Sequence, residues 1–273
     1  MKKNTDITIA LTSCWRFNLL KKTICSLGTL IDLSWYQKII TEDSINPSYL
    51  KKIKKEHIHG RLKDWNIIYT GVEYIKDPYI SHQRALEVLY DEIQTPYAFH
   101  CEDDRIFEDQ SSTWSETFLD ISLDILSTKK DVGIVCVRNI YQVTENNLWL
   151  SNDTIEVLWI EKKWLIYAWR EFHILKQYDS KSNHYTLNPW LRRTQETKKL
   201  LDLHHGKQVD EYAMWVEYKK MWLHSIIFAE PIARHIWWFV YSTRFFKDWF
   251  FLSFARAIKN WITHYIHILF PRS

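Results

Sequence analysis

The chain has 273 residues, of which 46% are hydrophobic and 25% charged. Those proportions are typical of a folded globular protein and exclude a disordered chain or a coiled coil as its main structure. Its five glycines lie too far apart for a G-x-G-x-x-G or Walker-A phosphate loop. The net charge of +3 is too small to indicate a nucleic-acid partner, so we expect none.

The cysteines and the N-terminal residues indicate a cellular compartment. Four cysteines without a C-x-x-C spacing are typical of reduced thiols in the cytosol, rather than of disulfides or a zinc site. The first six residues do not have the character of a signal peptide. No uncharged apolar run approaches the roughly 20 residues of a spanning helix. We therefore expect a cytoplasmic protein.

Strand and helix patterns alternate along the first half of the chain. Short β-branched or apolar runs predict strands at residues 7–12, 38–40, 66–69, 97–100 and 132–137. Apolar residues at helical spacing predict helices at 17–30, after Pro47, at 81–93 with Ser81 as N-cap, and near 114–126. This order predicts an α/β sandwich with a mostly parallel sheet.

The second half is less regular. Residues 157–160 and 165–169 are predicted strands around a charged turn, Glu161-Lys162-Lys163. Residues 189–203 and 209–220 are predicted helices, and 225–228 a strand. No Pro/Gly/Ser-rich linker divides the chain, so we expect one compact unit to about residue 239, followed by a distinct tail.

Polar clusters follow three of the predicted strands: Thr12-Ser13-Cys14-Trp15-Arg16, Glu42-Asp43-Ser44 and Glu102-Asp103-Asp104. In open α/β sheets, ligands bind outside the carboxyl ends of the strands. Adjacent carboxylates there suit Mg²⁺ or Mn²⁺, which can bridge to substrate phosphates without a glycine loop. The alternative is that Asp103 and Asp104 cap a helix or form a solvated turn.

These clusters carry a family resemblance. The segment 97–107 resembles the strand-plus-acidic motif of GT-A glycosyltransferases, particularly family 2-like sugar transferases. Residues 7–27 resemble the first strand and nucleotide-contacting loop of that family, and Ile39–Ser44 resembles its second-strand acidic motif. The match continues in order through Leu187-Asn188-Pro189, Asp210-Glu211 and Arg234-His235-Ile236.

The resemblance therefore covers roughly residues 7–239, and it implies a GT-A type, Rossmann-like α/β/α sandwich with a mostly parallel central sheet. Residues 1–239 would form the catalytic domain. Its nucleotide-sugar-binding half would be about 1–138 and its acceptor-binding half 139–239. Residues 240–273 would form a separate helical tail.

The resemblance also implies residue roles. The Mn²⁺ or Mg²⁺ ligands would be Asp104, Glu102 and His235. Glu211 would be the general base, with Asp210 as the alternative carboxylate. The donor would be contacted by Thr12, Ser13, Arg16, Asp43, Arg84 and Asp103.

Each of these roles has a structural alternative. His235 could be a core histidine, and Arg16 a surface residue at a helix start. The acidic residues Asp210 and Glu211 could favour a helix N-terminus through its dipole. We interpret His100, Cys101, His204 and His205 as structural, because no ligand spacing links them.

The implied activity is metal-dependent transfer of a sugar from a nucleotide-diphosphate sugar, a UDP-sugar being favoured, to a hydroxyl of a glycan or lipid-linked acceptor. We expect inversion at the anomeric carbon, and a place in glycan or lipopolysaccharide/capsule-type biosynthesis. One alternative is a non-catalytic carbohydrate-binding protein, which would explain the 15 Trp and 15 Tyr. Another is a metal-dependent phosphohydrolase or nucleotidyltransferase.

The tail, residues 240–273, has an aromatic face and a basic face on a helical wheel. Phe246, Phe250 and Phe254 lie on the first, and Arg256 and Lys259 on the second. Basic aromatic helices of this kind lie in the membrane interface. The pattern predicts a peripheral contact with the cytoplasmic face of a membrane. The alternatives are packing on the catalytic domain and dimerisation.

Overall fold

The computed structural model describes residues 6–14, 16–71, 78–108, 117–137, 162–167, 170–175, 189–207, 211–228 and 232–236. The contacts divide the chain into two units, Met1–Arg234 and His235–Ser273. The predicted tail at 240–273 lies outside the described residues.

The described residues contain these strands: β1 (Ile7–Ser13), β2 (Gln37–Glu42), β3 (Asn66–Tyr69), β4 (Tyr97–Glu102), β5 (Arg105–Phe107), β6 (Val132–Cys136), β7 (Lys162–Tyr167), β8 (Arg170–Leu175), β9 (Trp190–Arg193), β10 (His224–Phe228) and β11 (Ala233–His235). Nine of them form one sheet in the order β3-β2-β1-β4-β9-β6-β10-β8-β7, and β5 pairs with β11.

The sheet is mostly parallel. Strands β3, β2, β1 and β4 run parallel to one another, and β10 runs parallel to β6. Strand β9 lies between β4 and β6 and is antiparallel to both. Strands β8 and β7 extend the far edge as an antiparallel pair. The predicted α/β fold with a mostly parallel sheet is confirmed.

Six α-helices accompany the strands in the described residues: α1 (Phe17–Leu30), α2 (Pro47–His59), α3 (Pro78–Glu92), α4 (Phe118–Thr128), α5 (Thr194–Leu203) and α6 (Glu211–Lys220). A short 3₁₀ helix spans Leu33–Trp35. Local chemistry explains two of their starts. Asn46 accepts hydrogen bonds from the backbone N–H groups of Ser48 and Tyr49 before α2, and Pro47 takes the first helical position. Thr117 and Asp120 form a capping box at α4.

Apolar side chains cover both faces of the sheet, as alternation along a buried strand requires. Ile9 and Leu11 of β1 face a core that includes Leu20 of α1 and Leu119 of α4. Their neighbour Ala10 faces a second core with residues of α3 and α5. The unit is therefore an α/β/α sandwich, whose layers hold the strand ends in fixed positions.

Several predicted boundaries are wrong. Helix α3 begins at Pro78, so Ser81 lies inside the helix and is not its N-cap. Lys162 and Lys163 lie in β7 and do not form a turn. The predicted helix at 189–203 begins only at Thr194, because Trp190–Arg193 forms β9. The residues around His235, for which no strand was predicted, form β11, and His235 is its last residue. The predicted strand at 157–160 lies outside the described residues.

Among the described residues, no helix has the length and apolar character needed to cross a membrane.

Candidate active site

Three neighbouring strands bring their polar ends to one edge of the sheet. Ser13 at the end of β1 lies opposite Glu42 at the end of β2, and Thr12 lies opposite Glu102 at the end of β4. The backbone continues this contact, because the Asp103 N–H donates to the Thr12 carbonyl at 3.1 Å. The structure thus brings together the three clusters that the sequence placed at strand ends.

Asp103 lies at the centre of this edge and is fully buried. Its Oδ2 atom accepts hydrogen bonds from the Ser13 hydroxyl at 3.1 Å and from the Cys14 backbone N–H at 3.3 Å. Burial raises the pKa of Asp103 to about 7; Arg16 opposes this rise, and Asp104 adds to it. Asp103 is therefore a carboxylate that needs a nearby positive charge to stay ionised.

Arg16 supplies that charge by bridging the two aspartates. Its Nη2 atom lies 2.5 Å from Asp103 Oδ1, and its Nη1 atom lies 2.7 Å from Asp104 Oδ2. Burial alone would lower the pKa of Arg16, but the carboxylates of Asp103 and Asp104 raise it above its usual value. The guanidinium thus stays charged while three quarters of its side chain is covered.

A second arginine, Arg105, contacts Asp104 and Glu102. Arg105 Nε lies 3.4 Å from Asp104 Oδ1, and Arg105 Nη2 lies 3.5 Å from Glu102 Oε2. Arg105 is almost fully buried, while Glu102 is partly exposed. Glu102 thus pairs with Arg105, and its charge also helps to raise the pKa of Arg16.

Tyr49 of α2 links the polar residues at the end of β2 to those at the end of β1 through its hydroxyl group. The Tyr49 hydroxyl donates to Glu42 Oε2 at 3.3 Å and lies 3.3 Å from the Ser13 hydroxyl. Glu42 also accepts from the Ser44 N–H at 2.8 Å, and the Asp43 N–H donates to the Ser13 carbonyl at 2.9 Å. Burial and Glu42 raise the pKa of Tyr49, so its phenol stays protonated.

Thr23 of α1 fixes the turn between β4 and β5. Its hydroxyl lies 2.9 Å from the Asp103 carbonyl and 2.8 Å from the Arg105 carbonyl, and it accepts from the Arg105 N–H at 3.0 Å. Sequence reasoning missed this role, as it missed those of Tyr49 and Arg105. Thr23 fits the apolar stripe of α1, and only the fold shows that it faces the turn.

Close backbone packing supports the loop after β2. A Cβ atom on Gly71 would lie 2.6 Å from the Ser44 carbonyl oxygen and 2.7 Å from that of Asp43. The Thr70 hydroxyl donates to Asp43 Oδ1 at 3.4 Å. Only glycine allows this approach, which holds Asp43 beside the end of β1.

Other predicted site residues lie apart from this cluster or outside the description. Arg84 lies on α3, where its Nη1 atom is 3.4 Å from Glu87 Oε2. Glu211 is the first residue of α6 and His235 the last of β11, and the side chains of both lie outside the described part. Asp210 lies outside the described residues.

The acidic residues suit a divalent cation in their donor type. Asp103 and Asp104 present carboxylate oxygens that already share one positive group, and hard cations such as Mg²⁺ and Mn²⁺ prefer oxygen ligands. Among the described residues, no group of three His, Cys, Asp or Glu side chains forms a complete protein ligand set. A cation there would take one or two carboxylates and leave positions for phosphates.

No protein-family model matches the sequence, and no curated protein matches it. Solved structures resemble it in fold. The crystal structure of S. aureus TarS 1–349 in complex with UDP aligns with a TM-score of 0.50 and 9% identity, over 85% of this chain and 60% of that chain. The chain has a GT-A-type fold.

The mannosyltransferase PcManGT from Pyrobaculum calidifontis, in complex with GDP-Man and Mn²⁺, aligns with a TM-score of 0.49 and 11% identity, over 83% of this chain and 56% of that chain. The chain spans only about 60% of the length of the TarS fragment and 56% of that of PcManGT. At 9% identity, the similarity to the TarS fragment establishes the fold alone, which agrees with the predicted one, and function must be argued from the site.

Proposed function

We propose that the chain is a metal-dependent glycosyltransferase, which moves a sugar from a nucleotide-diphosphate sugar to an acceptor hydroxyl. The observation that carries the proposal is the buried pair Asp103 and Asp104, held with Arg16 where β1 and β4 of a GT-A fold end. Two buried carboxylates are unfavourable without a compensating positive charge. A helix cap or solvated turn would leave them exposed, so their burial favours a binding role.

The donor pocket is proposed to lie between the ends of β1, β2 and β4. Thr12, Ser13 and Asp43 would line it, and the UDP complex of TarS supports a uridine nucleotide as the first donor to test. Arg84, which pairs with Glu87 on α3, is also proposed to contact the donor. A cation bound at Asp103 and Asp104 would neutralise charge that develops on the leaving diphosphate.

The chain's own residues would do the remaining chemistry. Ser13 and the Cys14 N–H orient the Asp103 carboxylate, while Arg105 orients Asp104. Glu211, or its neighbour Asp210, is proposed as the base that removes the acceptor proton. A base that acts opposite the leaving group gives inversion in a single displacement. Glu102 and His235 remain proposed cation ligands.

The test is nucleotide release and sugar transfer, measured with purified chain, candidate nucleotide-sugars and Mn²⁺ or Mg²⁺. Glu211→Gln should lower the transfer rate about 10²–10⁴-fold while donor affinity is retained, because a positioned base contributes that much to the rate. Asp131→Asn, which changes an exposed acid, is the matched control. Donor binding without turnover would indicate a carbohydrate-binding protein, and cleavage of simple phosphoesters a phosphohydrolase.

The remaining assignments extend this proposal. Residues 1–138 are proposed to bind the donor and 139–239 the acceptor, with 240–273 as a membrane-contacting tail. A glycan or lipid-linked acceptor, at the cytoplasmic face of a membrane, would suit such a tail. Acceptor screening with water-soluble glycans and with lipid-linked sugars in detergent separates the two acceptor classes, and a polysaccharide pathway would follow from the acceptor found.

A further inference from the structure

Helix α2 and the turn after it carry a concentrated positive charge. Residues 47–65 contain six Lys and Arg side chains against two carboxylates, Glu56 and Asp64. That local excess of four positive charges is larger than the net charge of +3 of the whole chain. The charge is thus collected on one element instead of being spread over the surface.

Helical spacing places part of this charge on a single outward face. Tyr49 and Ile53 turn into the core, while Lys51, Lys54, Lys55 and Ile58 are exposed. Positions 51, 54, 55 and 58 are separated by three, four and seven residues, so these side chains are neighbours on the helix surface. We refer to Lys51, Lys54, Lys55 and Ile58 as the basic face.

No carboxylate within the described part of the chain forms an ion pair with the lysines of the basic face. The ion pair of α2 seen there joins Glu56 to Lys21 of α1 at 4.0 Å, which brings a further lysine towards the helix. Lys54 lies 5.7 Å from the ring centroid of Tyr69 on the outermost strand β3, and Tyr69 is 40% exposed. The face therefore has an uncompensated charge and an aromatic ring at its border.

Ile58 indicates which polyanion fits this face. It is 63% exposed and stands among three lysines, where it has no packing role in the core. A nucleic acid or polyphosphate would use only the charge. A lipid surface uses both chemistries, because lysines bind anionic headgroups while an aliphatic side chain enters the acyl boundary. We propose that the basic face docks the protein on the surface of an anionic phospholipid membrane.

The test is co-sedimentation of the full chain with vesicles of phosphatidylglycerol and phosphatidylcholine, compared with pure phosphatidylcholine. Each lysine near an anionic surface contributes about fivefold to affinity, so Lys51→Gln/Lys54→Gln/Lys55→Gln should weaken binding on the order of a hundredfold. The control Lys129→Gln/Lys130→Gln/Lys207→Gln makes the same charge change at exposed positions elsewhere and should leave binding nearly unchanged. The tail is present in both variants, so their difference reports on α2.

A second pair of variants tests the apolar contact. Ile58→Ser should weaken vesicle binding about fivefold, as partial burial of one aliphatic side chain implies. Leu203→Ser, at a residue 54% exposed on α5, should not. Equal vesicle binding by the two lysine triple variants would overturn the proposal. So would an unchanged Ile58→Ser variant together with equally tight binding of inorganic polyphosphate, which would indicate a charge-only site.

The membrane contact stands apart from the transferase proposal. In the described residues, the lysines of the basic face make no contact with Asp103 or Asp104. Sugar transfer to a water-soluble acceptor should therefore be unchanged in the lysine triple variant. Loss of vesicle binding with retained transfer supports the docking role. Loss of both in a variant with an unchanged melting temperature would contradict it.

Discussion

Arg16 is the residue whose replacement tests the electrostatics of the site most sharply. Its guanidinium contacts Asp103 and Asp104 at 2.5 and 2.7 Å, and both aspartates are almost fully buried. Arg16→Gln leaves those carboxylates without their shared counter-ion. Breaking a buried ion pair by removing one partner costs about 3–5 kcal/mol.

Arg16→Gln should lower the free energy of unfolding by about 3 kcal/mol, the low end of that range. The reason is that the Arg16 side chain is 24% exposed, so water can partly replace the guanidinium. For a chain of this size such a loss lowers Tm by roughly 6–12 °C. Arg84→Gln breaks an arginine–carboxylate pair in which the arginine is 43% exposed. That control should lose no more than about 1 kcal/mol.

The same variant should change the response to metal. The guanidinium contacts one oxygen of each aspartate, so we expect it to compete with a divalent cation for these carboxylates in the wild type. At pH 8, Mn²⁺ should therefore raise the Tm of Arg16→Gln more than that of the wild type. Thermal unfolding with and without Mn²⁺ measures both effects. An Arg16→Gln variant as stable as Arg84→Gln, or one with no additional Mn²⁺ response, would contradict a role of Arg16 as counter-ion to both aspartates.

Two further predictions concern the same edge of the sheet. Because burial raises the pKa of Asp103 to about 7, the folded chain keeps a proton between pH 4 and 7 that the unfolded chain releases, so stability should fall as pH rises through this window. Urea unfolding at several pH values should show this fall in the wild type and a flatter profile in Asp103→Asn; a rise in the wild type would contradict it. Gly71→Ala should lower the free energy of unfolding by about 1–3 kcal/mol, because the new Cβ atom would clash with the Ser44 carbonyl. The control Gly28→Ala, whose Cβ atom would make only an ordinary 3.4 Å contact, should show no such loss. Equal urea midpoints for the two variants would contradict close packing at Gly71.

The fold could be predicted where strands and helices alternate locally. The strands at 7–12 and 66–69 and the helix at 17–30 follow from patterns within each segment, and they lie where they were predicted. Strand β9 could not be predicted in this way. Trp190–Arg193 is a strand because it fills the gap between β4 and β6, a pairing between distant segments that no local pattern reveals.

Some features of the candidate site could also be predicted from the sequence, and others could not. Parallel strands end at a common edge, so the meeting of Ser13, Glu42 and Glu102 follows from the strand order alone. The pairing of Arg16 with Asp103 could not be predicted in this way. Arg16 lies in a loop, where its side chain could point in several directions, and the buried charge of Asp103 determines which one it takes. The ion pair of Arg84 with Glu87 is likewise visible only in the fold, and the donor contact of Arg84 stays a prediction.

The most direct test of a nucleotide-sugar site at Asp103 and Asp104 is the melting temperature of the chain with UDP-, GDP- and CMP-sugars, with and without Mn²⁺, for the wild type and Asp104→Asn. A ligand that binds only the folded chain raises Tm by mass action, by about 2.7 kcal/mol of stability at 100 times its Kd. A metal-dependent rise with one nucleotide-sugar, absent in Asp104→Asn but retained in Asp131→Asn, is the predicted result. No rise with any donor in the wild type would contradict a nucleotide-sugar site at these carboxylates.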